Sequence, residues 1–90
     1  MAVVRVRRMG GFIGRTVSGV LDLESADDRA PEARRLLDNL DIAAIPDGMP
    51  WPDMYTYELE LDDELLVRVP EHLMPPDLRT LADLLLDQTR

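Results

Sequence analysis

The side chains that could carry out catalysis or bind a metal are few in this chain, and their spacing is unfavourable. His72 is the single His and Cys is absent, so no second imidazole and no thiolate can share a zinc ion with it. No nucleophile and acid are spaced so that they would complete a catalytic triad with His72. Eighteen acids are present, but no two of them are placed as an acid and base pair. We therefore expect neither an enzyme nor a protein that needs a metal or other cofactor.

Two short motifs resemble ion-binding loops but lack their defining residues. The acidic run Asp62-Asp63-Glu64 has neither the spaced ligands nor the central glycine of a calcium loop, so we interpret it as a tight turn. The stretch Gly10-Gly11-Phe12-Ile13-Gly14 is rich in glycine, but no Lys-Ser/Thr pair follows it. Arg15 begins a strand-like segment rather than a helix, which excludes a phosphate-binding loop.

The same glycine-rich stretch is the most distinctive candidate for a binding surface. Its three glycines frame Phe12 and Ile13 between two strand-like segments, and glycine adopts positive φ at low cost, so a hairpin connection is predicted. Phe12 is the only Phe of the chain. In one interpretation Phe12 folds back and caps the core, and in the other Phe12 or Ile13 anchors a partner.

Trp51, the only Trp, lies in a segment where neither a helix nor a strand is expected. Residues 45–53 contain three prolines and a glycine, which interrupt regular structure. The indole either plugs one end of the core or forms a second contact beside the glycine loop. The candidate partner-binding residues are therefore Gly10, Gly11, Phe12, Ile13, Gly14 and Trp51.

Length and composition predict a single domain over residues 1–90. The chain is 46% hydrophobic and 31% charged, which is ordinary for a folded chain of one modest core. The absence of Cys is compatible with a reducing compartment. The N-terminal residues MAVVRVRR include no long apolar run, and no stretch reaches membrane-spanning length. We therefore expect a cytoplasmic protein with no signal peptide and no membrane contact.

Charge is divided unevenly along the chain, whose net charge is −8. Residues 1–21 carry four of the ten Arg and no acid, whereas the remainder carries all eighteen acids. This acidic balance argues against a nucleic-acid partner. The basic N-terminal hairpin could contact an acidic partner surface, although the alternation of Arg5 and Arg7 with valines is typical of the solvated face of a strand.

Alternation of apolar and polar residues predicts four strands in two hairpins. The first hairpin joins residues 3–9 to residues 15–23, and the second joins residues 54–62 to residues 65–69. Arg68 is placed to pair across strands with Glu58 or Glu60. The residues assigned to the apolar face are Val4, Val6, Val17, Leu21, Leu23, Tyr55, Tyr57, Leu59, Leu61, Leu65, Val67 and Val69.

Helical spacing of apolar residues predicts one helix after each hairpin. The first helix begins at Pro31 and its apolar spacing extends to Ala44, whereas the second follows Pro75 and Pro76. Their buried stripes are Ala33, Leu36, Leu37, Leu40 and Ala44 in the first, and Leu78, Leu81, Ala82 and Leu85 in the second, which Leu84 and Leu86 widen. The predicted fold is α+β with element order ββαββα: a four-stranded antiparallel sheet with both helices packed on one face and an opposite, wet face rich in Arg and Glu.

The order of these elements and one motif carry a family resemblance. A strand that ends in Arg8-Met9 leads into Gly10-Gly11-Phe12-Ile13-Gly14, and a later strand contains Tyr55-Thr56-Tyr57-Glu58-Leu59. Over nearly its full length the chain resembles the emfourin family, small protein inhibitors of thermolysin-like metallopeptidases, especially protealysin-type enzymes. The resemblance implies a single α+β domain of the bacterial cytoplasm that binds a zinc peptidase and needs no metal of its own.

The resemblance also suggests how the candidate residues would act. Thermolysin-like enzymes as a class favour a bulky apolar side chain just after the scissile bond, and Phe12 and Ile13 are the best-placed residues to fill such a pocket. Two other classes remain open. One is a regulatory module that docks a non-protease partner, and the other is a structural subunit that self-associates through a sheet edge or Trp51. We expect a monomer or a weak dimer.

Overall fold

Residues near the N-terminus form a central strand of the sheet. The computed structural model describes residues 2–10, 16–46 and 54–86. Strand β1 (Val3–Gly10) is antiparallel to β2 (Val17–Asp22) on one side and to β3 (Tyr55–Leu61) on the other, and β3 pairs with β4 (Glu64–Pro70). The order β2-β1-β3-β4 confirms the predicted four-stranded antiparallel sheet.

A helix follows each hairpin, which confirms the order ββαββα. Helix α1 (Ala30–Asn39) has Pro31 in its first turn, and α2 (Pro76–Leu86) begins at a proline, where a missing N–H costs nothing. Helix α2 lies over β2 and β1, and α1 packs on α2. Short 3-10 turns span Ile42–Ala44 and Glu71–Leu73.

One hydrophobic cluster lies between the helices and the sheet. It buries residues from all four strands and both helices, because alternate strand residues and one stripe of each helix face the same layer. The predicted stripe of α2 is confirmed, including Leu86. The buried residues of the cluster are Val4, Val6, Leu21, Leu23, Ala33, Leu36, Tyr57, Leu59, Val69, Leu78, Leu81, Ala82, Leu85 and Leu86.

The prediction that the first helix continues to Ala44 is wrong. Helix α1 ends at Asn39, and Leu40 has extended dihedrals of φ −79° and ψ 129°. Asn and Asp favour non-helical backbone, and carboxylates such as Asp38 are unfavourable at the negative end of the helix dipole. The extended backbone at Leu40 still lets this side chain pack against the core, whereas Ala44 is exposed.

The assignment of Leu65 to the apolar face is also wrong. Leu61 pairs with Glu64 and Glu60 with Leu65, but Leu59 pairs with Val67, so Leu66 is an extra residue in β4. Such a bulge reverses the faces of the residues before it. Leu65 is therefore 47% exposed, and the partly buried Leu66 packs against the core instead.

The face of the sheet without helices, called the open face here, is less wet than predicted. It carries Arg and Glu as expected, but Glu58 is only 6% exposed. Arg68 donates from Nε to Oε2 of Glu58 at 2.7 Å, and Arg7 lies 3.9 Å from Oε1 of the same carboxylate. The predicted cross-strand pair of Arg68 with Glu58 is confirmed, and long Arg side chains cover the carboxylate. The open face comprises Arg5, Arg7, Ser18, Val20, Glu58, Glu60, Leu65 and Arg68.

The predicted turn between the last two strands is confirmed as a two-residue hairpin. Asp62 and Asp63 both have positive φ, at 52° and 68°, as the hairpin turn that matches strand twist requires. Asp62 also extends the sheet: its N–H donates to the Val3 carbonyl at 2.8 Å, and its Oδ1 accepts from the Val3 N–H at 2.8 Å.

Candidate partner-binding site

The end of the sheet where β1 stops gathers several chain segments. Gly10 pairs with Tyr55, and Thr56 pairs with Pro70. The end of β1, the start of β3 and the end of β4 therefore lie side by side, and β2 begins at the same end because Arg8 pairs with Val17. We call this the loop end of the sheet, since residue 10 leads out of it and residue 54 leads into it.

Gly10 has a conformation that only glycine adopts readily. Its φ is +88°, and a Cβ added there would lie 3.2 Å from the Met54 carbonyl oxygen. A side chain would thus meet both backbone strain and a close neighbour. The backbone that leads out of β1 and the backbone that leads into β3 consequently touch at the loop end.

Arg8 and Tyr55 form a stacked pair at this end. The Arg8 guanidinium carbon lies 4.7 Å from the centre of the Tyr55 ring, within the range of a cation–π contact worth about 0.5–2 kcal/mol. Arg8 shares the core-facing side of β1 with Val4 and Val6, which is unusual for a cation. Its Nε is buried without a hydrogen-bond partner, and among the described residues no acid forms an ion pair with it.

The turn after β4 completes the loop end. The Tyr55 N–H donates to Oε1 of Glu71 at 3.4 Å, and Arg79 Nη2 donates to the Glu71 carbonyl at 3.2 Å. His72 Nδ1 lies 2.8 Å from the Met54 sulfur. These contacts join the start of β3 to the 3-10 turn Glu71–Leu73 and to α2 at the base of the loop end.

Of the predicted binding residues, the structure places Gly10 at the loop end. Gly11, Phe12, Ile13, Gly14 and Trp51 lie outside the described residues, so their roles stay predictions. Sequence reasoning missed the pair of Arg8 and Tyr55. The signal was present in part, because the alternation that puts Val4 and Val6 on the core face puts Arg8 there too.

A clear electrostatic feature lies at the other end of β2. Arg29 donates from Nε and Nη2 to the two carboxylate oxygens of Asp27 at 3.0 and 2.7 Å. These side-chain bonds, with a backbone bond from the Arg29 N–H, lower the pKa of Asp27 from 3.8 to about 2. Arg29 Nη1 also donates to the Leu84 carbonyl at 3.4 Å. The pair thus joins the start of α1 to α2 and serves the fold.

The described residues offer no arrangement for metal binding. Within residues 2–10, 16–46 and 54–86, no group of three or more His, Asp or Glu side chains could hold a metal ion. An open groove runs beside the start of α1, lined by residues such as Leu23, Asp27 and Arg34, and it lies away from the loop end. Neither helix of this part of the chain is long and apolar enough to cross a membrane.

The described residues form a small α+β domain in which the backbones at Gly10 and Met54 meet at the loop end of the sheet. The chain belongs to the Emfourin family, whose model matches residues 6–86. This family implies an inhibitor of metallopeptidases rather than an enzyme, and the match confirms the resemblance seen in the sequence. No curated protein and no solved structure matches the chain.

Proposed function

We propose that this protein inhibits thermolysin-like zinc metallopeptidases of the protealysin type, and that its loop end enters the active-site cleft. The observation that carries the proposal is the pairing of Gly10 with Tyr55. Consecutive Cα atoms are about 3.8 Å apart, so the segments that begin at residue 11 and end at residue 53 leave the sheet as neighbours. The two segments predicted to contact a partner can therefore act on one target.

The proposed contact residues lie in these two segments and at the glycine that ends β1. A bulky apolar side chain from this set would fill the pocket that thermolysin-like enzymes use just after the scissile bond. The residues are Gly10, Gly11, Phe12, Ile13, Gly14 and Trp51.

The base of the loop end supports insertion into a cleft. The contacts of Glu71 with Tyr55 and Arg79 join this base to β3 and to α2. A base that is already ordered loses little entropy on docking, which favours tight binding.

Arg8 adds a polar contact to the proposed surface. Its guanidinium forms no ion pair with a described residue and is held over Tyr55. An Arg held in this way can donate two parallel hydrogen bonds to a carboxylate of the enzyme. We therefore include Arg8 among the residues whose replacement weakens inhibition.

The test is inhibition of a panel of zinc peptidases by the purified protein, with a serine peptidase as the negative control. Phe12→Ala and Trp51→Ala are each expected to raise the inhibition constant for a thermolysin-like enzyme. The expected loss of binding free energy is that of a hot spot, about 2 kcal/mol or more. Leu65→Ala is the matched control, because Leu65 is an exposed apolar residue outside the loop end. Absence of inhibition of every zinc peptidase would overturn the proposal, and capture of a non-protease partner would replace it.

A further inference from the structure

The open face carries two rows of side chains that run across all four strands. In the first row the register sets Val20 beside Arg5, Arg5 beside Glu60, and Glu60 beside Leu65. This row thus has a cation on β1 and a carboxylate on β3, the two central strands.

The second row repeats this arrangement of charge. The register sets Ser18 beside Arg7, Arg7 beside Glu58, and Glu58 beside Arg68. Here too the cation of the central pair lies on β1 and the carboxylate on β3.

The first row ends in an apolar residue on each side. Val20 is 44% exposed and Leu65 is 47% exposed, and these are the exposed large hydrophobic residues of the described chain. They lie on opposite edge strands, about 14 Å apart at the usual strand spacing. These two residues flank the opposite charges of the central strands, and each would add apolar area to a contact made by this face.

The first row is complementary to itself. A two-fold axis that is parallel to the strands and passes between β1 and β3 would set Arg5 of one copy against Glu60 of the other, and Val20 against Leu65. An axis perpendicular to the strands would instead bring β1 against β1 and cation against cation. The charges therefore select one symmetric arrangement.

The second row is compatible with the same axis. Arg7 of one copy then faces the position of Glu58 of the other, because these residues are also register partners on the central strands. Arg68 and Arg7 of its own chain cover the Glu58 carboxylate, so the charge contacts between copies come from the first row.

We infer that two copies of this chain associate face to face through their open faces, about a two-fold axis parallel to the strands. Packed sheets lie about 10 Å apart, a distance that an Arg and a Glu side chain can span together. The central charges can still contact a second copy, because both contacts of Glu60 within its own chain use one carboxylate oxygen. Its Oε1 lies 3.3 Å from Arg5 and 3.7 Å from Arg7. Arg has five N–H donors, so Arg5 can contact a second carboxylate.

We expect the affinity of the two copies for each other to be low. The open face is small, and interfaces that bury less than about 1,200 Å² in total are typical of transient contacts. The same axis also brings Asp22 of one copy near Asp63 of the other, at the rim where salt screens their repulsion. We therefore expect association at protein concentrations of about 0.1–1 mM, where weak complexes of this size form.

Sedimentation equilibrium over a concentration series tests the inference. Arg5→Glu and Glu60→Arg are each expected to raise the dimer dissociation constant at least about tenfold, since like charges then face each other. Arg34→Glu is the matched control: it makes the same change in net charge as Arg5→Glu at an exposed position of α1 and should leave the dissociation constant unchanged. Val20→Glu is a second interface variant, at an edge position outside the ion pairs, and it should also weaken the dimer.

Mixing the two single variants gives the sharpest result. A dimer of one Arg5→Glu chain and one Glu60→Arg chain has opposite charges at both central contacts, so the mixture should associate although neither variant does alone. A protein that stays monomeric at about 1 mM, or variants that do not rescue each other, would overturn the inference. Loss of peptidase inhibition by Arg5→Glu with an unchanged dimer would also overturn it and assign the open face to the enzyme.

Discussion

Gly19 lies directly against the backbone of Leu85. A Cβ added to Gly19 would be 2.4 Å from the Leu85 carbonyl oxygen and 2.8 Å from its carbonyl carbon. No side chain fits between strand and helix at this point, so α2 approaches β2 as closely as backbone allows. Gly19 thus sets the distance at which the second helix covers the sheet.

Replacing Gly19 by Ala should destabilise the fold. Overpacking of this kind typically costs about 1–3 kcal/mol, because β2 or α2 must move away from its partner. Urea denaturation monitored by circular dichroism gives the change, with Ser18→Ala as the control at an exposed neighbouring position. A Gly19→Ala protein as stable as the parent would contradict the close approach.

Leu59 and Leu65 should respond oppositely to truncation, although the sequence pattern assigns both to the apolar face. Leu59 is 1% exposed and Leu65 is 47% exposed. Leu59→Ala should lower the free energy of unfolding by about 2–5 kcal/mol, whereas Leu65→Ala should change it by no more than about 0.5 kcal/mol. Chemical denaturation measures both values, and equal losses at the two positions would show that the bulge at Leu66 is absent.

Gly10→Ala should affect both stability and inhibition. The left-handed conformation costs a residue with a Cβ about 1–2 kcal/mol, and the new methyl group would approach the Met54 carbonyl at 3.2 Å. Relief of this strain would redirect the backbone at the loop end, so the inhibition constant for the target peptidase should rise. Thermal unfolding and inhibition assays measure the two effects, and an unchanged melting temperature would argue against the assigned φ.

Acid should weaken the fold through Asp27. Its pKa is lowered from 3.8 to about 2 in the folded protein, so the unfolded chain binds the proton more tightly. The stabilisation is complete above about pH 4 and is lost as the pH falls towards about 2. Asp27→Asn should therefore flatten the dependence of stability on pH in this range, measured by urea denaturation. Asp28→Asn, at the exposed neighbouring position, is the control and should preserve the slope.

The parts of the fold that follow local periodicity could be predicted from the sequence. Burial of one sheet face imposes a two-residue period of apolar residues on the sequence, and this period identified the strands around Val6 and Leu59. Together with the apolar stripes of the helices, it identified the order of the elements. The bulge could not be predicted, because Leu65-Leu66-Val67 are all apolar and no residue marks the extra position. The burial of Glu58 depends on Arg side chains from two other strands, which only the register brings together.

The candidate site divides in the same way. Gly10 could be identified because glycine has a specific conformational use in a turn. The contact of Arg8 with Tyr55 depends on the pairing of β1 with β3, which are distant in the sequence, and local pattern carries no information about that pairing. The inhibition assays test the roles that stay predictions, those of Gly11, Phe12, Ile13, Gly14 and Trp51.

The central position of β1 also has a consequence for biosynthesis. Strand β1 pairs with β3 through residues more than fifty positions apart, such as Val6 and Leu59, so the first hairpin leaves the ribosome well before its second neighbour is made. During that interval one edge of β1 has unpaired backbone groups, which are a template for aggregation. Arg5, Arg7 and Arg8 interrupt this edge with positive charge, and such charges act as gatekeepers against aggregation. We therefore expect the arginines that meet the β3 glutamates in the finished sheet to protect the nascent chain from aggregation until those glutamates are made.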